Sequence, residues 1–416
     1  MIGDFERFDT EKPPTRQWHI LTPVTWLLSF PFTFFHRAKI DKSAALAGLK
    51  PPYLLLCNHN AFADFKVMTR AIFPRRANYI VAIDGFIGRE WLLRAVGAVC
   101  TRKFTRDIRL VKNCAQIRDN GDIIVLFPEA RYSLCGTQAI IPSSLGKMIR
   151  RLNIPVVSLI MRGHHINSPF WNTGDRGVKP VESEMRLLFS KEETQLLPPG
   201  DINARIADTF DYDDYAWQKS KNIRVKSKKR AEGLHKVLYQ CPACHTEYQI
   251  SSAGDALSCG YCGKTWILSE LGELRAREGE TEFSHIPDWY EWQRANVRRE
   301  VSSGDYYFES AVRVESLPNA KGFVVFDKPG RLVHSMDGFS LSGEYENTPF
   351  DIKWPASALY SCHIEYDYMG RGDCVDLNTI QDTFYLFPTG GSFSVTKLSL
   401  ATEELHKLAR GRIPAE

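Results

Sequence analysis

The stretch LLLCNHNAFADF, Leu54 to Phe65, decides how this chain is read. The apolar run at 53–56 has the length of a buried strand, and such a strand ends where polar residues take over. Here those residues are Asn58 and His59, with a carboxylate following at Asp64. In open α/β sheets, chemistry collects beyond the carboxyl ends of the strands. His59 and Asp64 are therefore candidate site residues.

The neighbouring sequence supports a strand at this position. Short apolar runs predict strands at Tyr53–Asn58, Tyr79–Ile83, Ala98–Phe104, Asp122–Phe127 and Pro155–Met161, and helical patterns lie between them near 62–73, 89–96, 107–119 and 144–152. Strands alternating with helices point to an α/β layer architecture. Within RDNGD, residues 118–122, Gly121 supplies the stop between a helix and the next strand.

A His and an Asp at this spacing carry little weight alone, and His36 and Asp41 repeat it without a preceding strand. The company of His59 is what counts. Downstream, IIVLFPEARYS (123–133) is a second apolar run ending in polar groups, Glu129, Arg131, Tyr132 and Ser133. GAVCTRKF (97–104) sets Arg102 and Lys103 after a strand-like run, and NIPVVSLIMRGHH (153–165) places Pro155 before another. In this order the blocks resemble the glycerophospholipid acyltransferase family, of the 1-acylglycerol-3-phosphate acyltransferase type. Its signature is NHX4D, a basic block, FPEGTRS and a proline-led apolar block. The resemblance spans residues 50–165, about a third of the chain. It matches at Asn58, His59, Asp64, Phe127, Pro128, Glu129 and Ser133, and departs at Ala130, Arg131 and Tyr132, where Gly, Thr and Arg are expected. The arginine that helps hold the acceptor phosphate is thus displaced by one position, and its role passes to Arg131 only if the loop is rearranged.

The resemblance implies transfer of a fatty acyl group from acyl-CoA or acyl carrier protein to the hydroxyl of a lysophospholipid-type acceptor such as 1-acylglycerol-3-phosphate. An alcohol is a poor nucleophile at neutral pH, and an imidazole is the side chain suited to take its proton. That makes His59 the candidate general base, with Asp64 on its other ring nitrogen fixing tautomer and orientation. Backbone N–H groups near the start of the 62–73 helix are candidate oxyanion donors. Asn58, Arg102, Lys103, Glu129, Arg131 and Ser133 are the expected substrate-binding residues, the cationic ones toward a phosphate. Cys57 offers a rival nucleophile, but it ends an apolar run, where thiols are usually inert. His164 and His165 resemble half a metal site that no carboxylate pattern completes, and are expected to be structural or substrate-lining.

Composition and charge bound the rest. With 44% hydrophobic residues the chain is ordinary globular protein. Its net charge of +4 hides an asymmetry, since residues 51–190 carry 20 Lys/Arg against 10 Asp/Glu. Such a region favours anionic partners. The acidic N-terminus lacks the pattern of a secretory signal. Ile20 to Phe35, rich in Phe but interrupted by Pro23 and Pro31, is read either as a broken interfacial helix or as a core helix. A cytoplasmic protein, peripheral on the cytoplasmic face of a membrane, is expected.

Ten cysteines in such a chain do not suggest a disulfide framework. Four of them, Cys241, Cys244, Cys259 and Cys262, form two CxxC knuckles separated by fourteen residues, the pattern of a zinc ribbon. Four thiolates close the coordination sphere, so the zinc is expected to be structural, with His245 a bystander. Residues 305–395 alternate short apolar runs with turn signals and end in LATEELHKLARG, predicting antiparallel β and a terminal helix. A pleckstrin-homology-like barrel suits this, as do other β folds. The expected organisation is an N-terminal membrane-associating helical segment (1–50), an acyltransferase domain (51–237) whose polar stretch from 195 leads out of it, a zinc ribbon (238–270), a connecting helix (271–304) and a C-terminal β domain (305–416). A lipid-binding relative with an altered FPE loop is the alternative. The basic run RVKSKKR (224–230) raises nucleic-acid binding, but the ribbon has few basic residues around it, and nucleic acid is not an expected partner.

Overall fold

The structure, a computed structural model, describes residues 2–411. Helix α1 (Thr22–Phe35) leads into β1 (Lys39–Lys42), followed by β2 (Leu54–Cys57), α2 (Ala63–Ile72), β3 (Ala77–Ala82), α3 (Glu90–Ala95), β4 (Ala98–Thr101), α4 (Ile108–Asp119) and β5 (Ile123–Leu126). Then come α5 (Leu145–Leu152), β6 (Val156–Arg162), the single turn α6 (His164–Asn167), β7 (Glu182–Phe189), α7 (Lys191–Leu196), α8 (Pro199–Thr209) and α9 (Asp214–Ser220). The strands form one sheet in the order β1-β7-β6-β2-β5-β3-β4. From β6 to β4 they run parallel, and β7 joins antiparallel at β6 with β1 beside it.

Alternation along β2 divides the core. Leu54 and Leu56 face one layer with α4, α5 and α8, through Ile117, Ile149 and Ile206. Tyr53, Leu55 and Cys57 face the other, with Val67, Met68 and Ile72 of α2. Every residue of β2 is buried, as a central parallel strand covered on both faces requires. Helix α4 begins at Asp107, whose side chain accepts from the Arg109 amide at 2.8 Å. The helix stops before Gly121, which has φ +76°, so the expected turn is present.

Two expectations need correction. The polar stretch after 195 does not simply leave the core: α8 packs Ile202 and Ile206 against the sheet, and α9 follows. The sheet also reaches back before residue 51, because the polar KIDK of β1 pairs with β7 as an edge strand, where solvent on one side tolerates charge. Residues 22–35 form one unbroken helix, with Pro23 in its first turn, where its missing N–H is no loss, and Pro31 inside. It packs against α2: Trp26 and Phe30 meet Phe73, and Thr33 accepts a bond from Arg70.

Beyond the sheet, β8 (Ile250–Ala253), β9 (Ala256–Cys259), β10 (Thr265–Leu268) and β11 (Leu274–Ala276) form a small antiparallel sheet around the cysteine knuckles. Helix α10 (Ile286–Ser302) connects it to β12 (Phe308–Leu317), β13 (Val324–Val325), β14 (Gly330–Ser335), β15 (Gly338–Tyr345), β16 (Thr348–Pro355), β17 (His363–Glu365), β18 (Cys374–Asn378), β19 (Thr383–Pro388) and α11 (Val395–Ala409). This third sheet is antiparallel, two meanders joined through β12. One continuous apolar cluster runs from Trp217 through Trp266 of the ribbon and Trp289 of α10 into Leu386 and Leu400. The ribbon and the β region are thus built onto the α/β core by shared burial.

Candidate active site

Strand order assembles the site. β6, β2 and β5 are adjacent and parallel, so the segments leaving their carboxyl ends emerge side by side. They deliver His164, His59 and Glu129 to one place.

His59 and Asp64 are brought together as expected, with Nδ1 to Oδ2 at 3.0 Å. Asp64 sits in the first turn of α2, and its Oδ2 also accepts from the amides of Asn60 (2.6 Å) and Ala61 (3.0 Å). The amides of Asn60 and Ala61, just ahead of α2, are therefore engaged by Asp64. Its Oδ1 accepts from His164 Nδ1 at 2.6 Å, and both side chains are fully buried. Burial alone would push this carboxyl up, yet the bonds from His164 and His59 hold it down at about 2. The His59 ring lies between those of Phe127 and Tyr132, each with its centroid 4.2 Å away. With Nδ1 turned to a carboxylate, Nε2 is the nitrogen left to accept a proton.

The FPE loop grips the backbone of His59 from both sides. Glu129 Oε1 accepts from the His59 amide at 3.3 Å, and the His59 carbonyl accepts from the Ser133 amide at 2.8 Å. Glu129 is buried, and burial pushes its carboxyl up to about 8 despite the amides of Ala139 and His59. Ser133 Oγ closes the loop between the Thr137 carbonyl and the Gly136 amide. Asn58 pairs twice with the backbone of Met161, both bonds at 2.8 Å, extending the β2–β6 ladder by a side chain. Expected at the substrate, Asn58, Glu129 and Ser133 instead hold His59 in position.

The arginines also differ from expectation. Arg102 is buried and donates to the carbonyls of Leu317 and Pro318 and to Thr383 Oγ1. Arg131 is buried against α11, bonded to Ser399 and, at 2.7 Å, to Glu403. Both guanidiniums are engaged by the C-terminal region rather than left for a phosphate, because burial without these partners would be prohibitive. Tyr132, one position beyond Arg131, packs its ring at a tilt against that of His59. Lys103 is half-buried and lies within electrostatic reach of His363, Glu365 and Asp376.

Cys57 is fully buried, and burial pushes its thiol well above its usual range. Cys57→Ala is expected to retain most acyl transfer in a direct assay; loss on the scale of a His59 substitution would reinstate the thiol. His36 and Asp41 do not meet, since His36 bonds Asp175 and Val178 while Asp41 pairs with Arg186.

Sequence reasoning missed Tyr212, whose hydroxyl donates to Asn60 Oδ1 at 2.9 Å, and Asp214, which accepts from the Gly163 and His165 amides at 3.1 Å and pins the turn that carries His164. The cluster FDYDDYAW (210–217) was their signal, aromatic and acidic residues in a stretch otherwise read as polar connector.

Elsewhere, the sulfur atoms of Cys241, Cys244, Cys259 and Cys262 all lie within 4.8 Å of one another. Cys241 to Cys262 and Cys244 to Cys259 are each 3.8 Å. A tetrahedral ion with sulfur at about 2.3 Å has edges of about 3.8 Å, so this donor set fits one. His245 is not part of the group.

A family model described as Acyltransferase matches residues 36–162. No curated protein matches the chain. Among solved structures, the crystal structure of the 1-acyl-sn-glycerophosphate (LPA) acyltransferase from Thermotoga maritima is similar over 48% of this chain and 80% of that one, at 12% identity and a TM-score of 0.39, too distant to carry weight. The family match runs through every block of the motif set and ends where β6 ends, and this part of the chain is an acyltransferase domain.

Proposed function

We propose that the chain transfers a fatty acyl group from an acyl-CoA or acyl carrier protein thioester to the hydroxyl of a lysophospholipid-type acceptor such as 1-acylglycerol-3-phosphate. The observation that carries this reading is the His59–Asp64 bond of 3.0 Å at the end of a central strand, with the peptide of His59 clamped by the FPE loop. The acceptor hydroxyl gives its proton to His59 Nε2 as its oxygen attacks the thioester carbonyl. The tetrahedral intermediate collapses, the C–S bond breaks, and the leaving thiolate recovers the proton from the imidazolium. Asp64 stabilises that imidazolium, and no acyl-enzyme is needed because the thioester is already activated.

The acceptor reaches the site from a membrane surface. Leu27, Leu28, Phe34 and Phe35 are strongly exposed along α1, as is Ile20 just before it, and Phe62, three residues after His59, is 73% exposed. The contacts of α1 with α2 run antiparallel, Trp26 to Phe73 and Phe32 to Lys66, so the Phe35 end of this apolar side lies toward Phe62. No helix among the described residues is long and apolar enough to cross a membrane, which suits attachment at the interface. The two meanders closed by α11 support the pleckstrin-homology-like reading of the C-terminal region.

The test is purified chain with labelled acyl-CoA or acyl carrier protein, a panel of lysophospholipids in detergent, and pelleting with anionic lipid vesicles. Labelled diacyl product and co-sedimentation are expected; no ester from any pair would end the proposal.

The four cysteines hold one structural zinc. Metal analysis is expected to give about one zinc per chain, and chelation to lower the unfolding temperature. A metal-free, equally stable chain would exclude it.

A further inference from the structure

His164 lies outside the acyltransferase motifs, yet it occupies the second oxygen of the carboxylate that orients His59. We infer that His164 is a positioning residue for the catalytic pair, acting through Asp64; this rests on the acyl-transfer reading above.

Asp64 has two faces. Oδ2 serves His59 and two amides, whereas Oδ1 has a single partner among the described residues, His164 Nδ1 at 2.6 Å. The His164 ring is fully buried, and Nε2 has no partner among the described residues. The tautomer that fits carries its proton on Nδ1 and donates it to Asp64. Its placement is built rather than incidental. Gly163, with φ +88°, turns the chain out of β6, and an added Cβ there would come within 2.7 Å of Trp217. Asp214 holds the amides on either side of His164, and the Phe32 ring of α1 closes over the imidazole, with centroids 6.1 Å apart. Strand order makes the bridge possible, because β6 and β2 are neighbours whose ends open together.

Without His164, Oδ1 would be a buried acceptor with no donor. The carboxylate would then hold a proton more tightly, on itself or shared with His59, and could rotate from the geometry its amides define. Either effect raises the pH at which the pair takes up a proton, so less of the enzyme carries the free base. The ionisable groups facing the pair are Cys57, Glu129, Tyr132, Tyr212 and His165 on the side of Asp64, with Asp214 beside His164 and Arg162 acting on Asp214 in turn. Burial holds Glu129 at about 8 and Asp214 at about 7, so the reading is taken from the difference between variants that share both.

The experiment compares His164→Asn, whose amide can donate from the Nδ1 position, with His164→Leu, which cannot. Transfer from labelled acyl-CoA to a lysophospholipid and ¹³C-histidine NMR titration are measured on the full chain, with His59→Ala as reference. His164→Asn is expected to stay within about fivefold of wild type. His164→Leu is expected to lose roughly 10²-fold in kcat with KM little changed, and to move the acid limb of the rate profile and the His59 resonance to higher pH. If His164→Leu does not fold, His164→Gln, whose amide reaches beyond that position, is compared with His164→Asn instead. Wild-type kcat and pH profile in the variant without the donor, or equal losses in both, would overturn the inference. Full activity in His59→Ala would instead overturn the acyl-transfer mechanism itself.

Discussion

Replacing His59 by alanine is expected to lower acyl transfer by about 10²–10⁴-fold, the usual worth of a positioned general base. The substitution is a clean one. Asp64 keeps the Asn60 and Ala61 amides and His164 as donors, so no buried carboxylate is stranded. The grip on the loop is made to the backbone of residue 59, from Glu129 and the Ser133 amide, and survives removal of the ring. The side chain is 23% exposed, so its loss leaves little cavity. Circular dichroism and bound metal should match wild type while turnover disappears. Activity above a tenth of wild type would remove His59 from the role of base.

The second large effect is expected at Glu403, far from His59 in sequence. Its carboxylate holds Arg131 of the FPE loop and Arg294 of α10 and accepts from Ser361, all in a region closed to water. Removing one partner of a buried ion pair leaves a stranded charge, worth about 3–5 kcal/mol, so Glu403→Ala is expected to destabilise the chain by that order in denaturant unfolding. Transfer activity should fall with it, because the loop that Arg131 ties down also carries Glu129 and Tyr132 against His59. A Glu403→Ala chain as stable as wild type would contradict the buried network.

The same group sets an acid limit. Burial would raise the Glu403 carboxyl, but Arg131 and Arg294 hold it down at about 2, and Asp64 is likewise held at about 2. A carboxyl depressed in the folded state contributes stability that is full above its unfolded value, near 4.3, and is lost as the pH falls toward 2. Stability should therefore decline over that acid interval, and Glu403→Gln should flatten the decline; an unchanged slope would show that the pair does not carry it.

How much of this was legible in the sequence follows from how local each signal is. The run before Asn58 and the stop at Gly121 are read from adjacent residues, and the strands appear at those places. His59 and Asp64 are five residues apart, so one strand end and one helical turn suffice to join them. β1 and β7 were not legible: KIDK has no apolar alternation, and it is a strand only because β7 offers it an edge. Helices α8 and α9 were hidden in a polar stretch because only one face of each is buried. The arginines misled for a related reason. A guanidinium in a motif reads as free for a substrate, and nothing near Arg131 announces Glu403, 272 positions away. His164 was visible as part of GHH, but its meaning depends on β6 lying beside β2, which pairing decides and spacing does not.

The central claim is that the imidazole of His59, steered by Asp64, activates the acceptor hydroxyl directly against the thioester. Its most direct measurement is single-turnover transfer from a labelled acyl thioester, quenched in acid, across about pH 5 to 8. The expected result is a rate that falls as one proton is taken up, with label passing straight into the lipid ester and none on the protein. A rate indifferent to pH, or label accumulating on the chain before the ester appears, would contradict it.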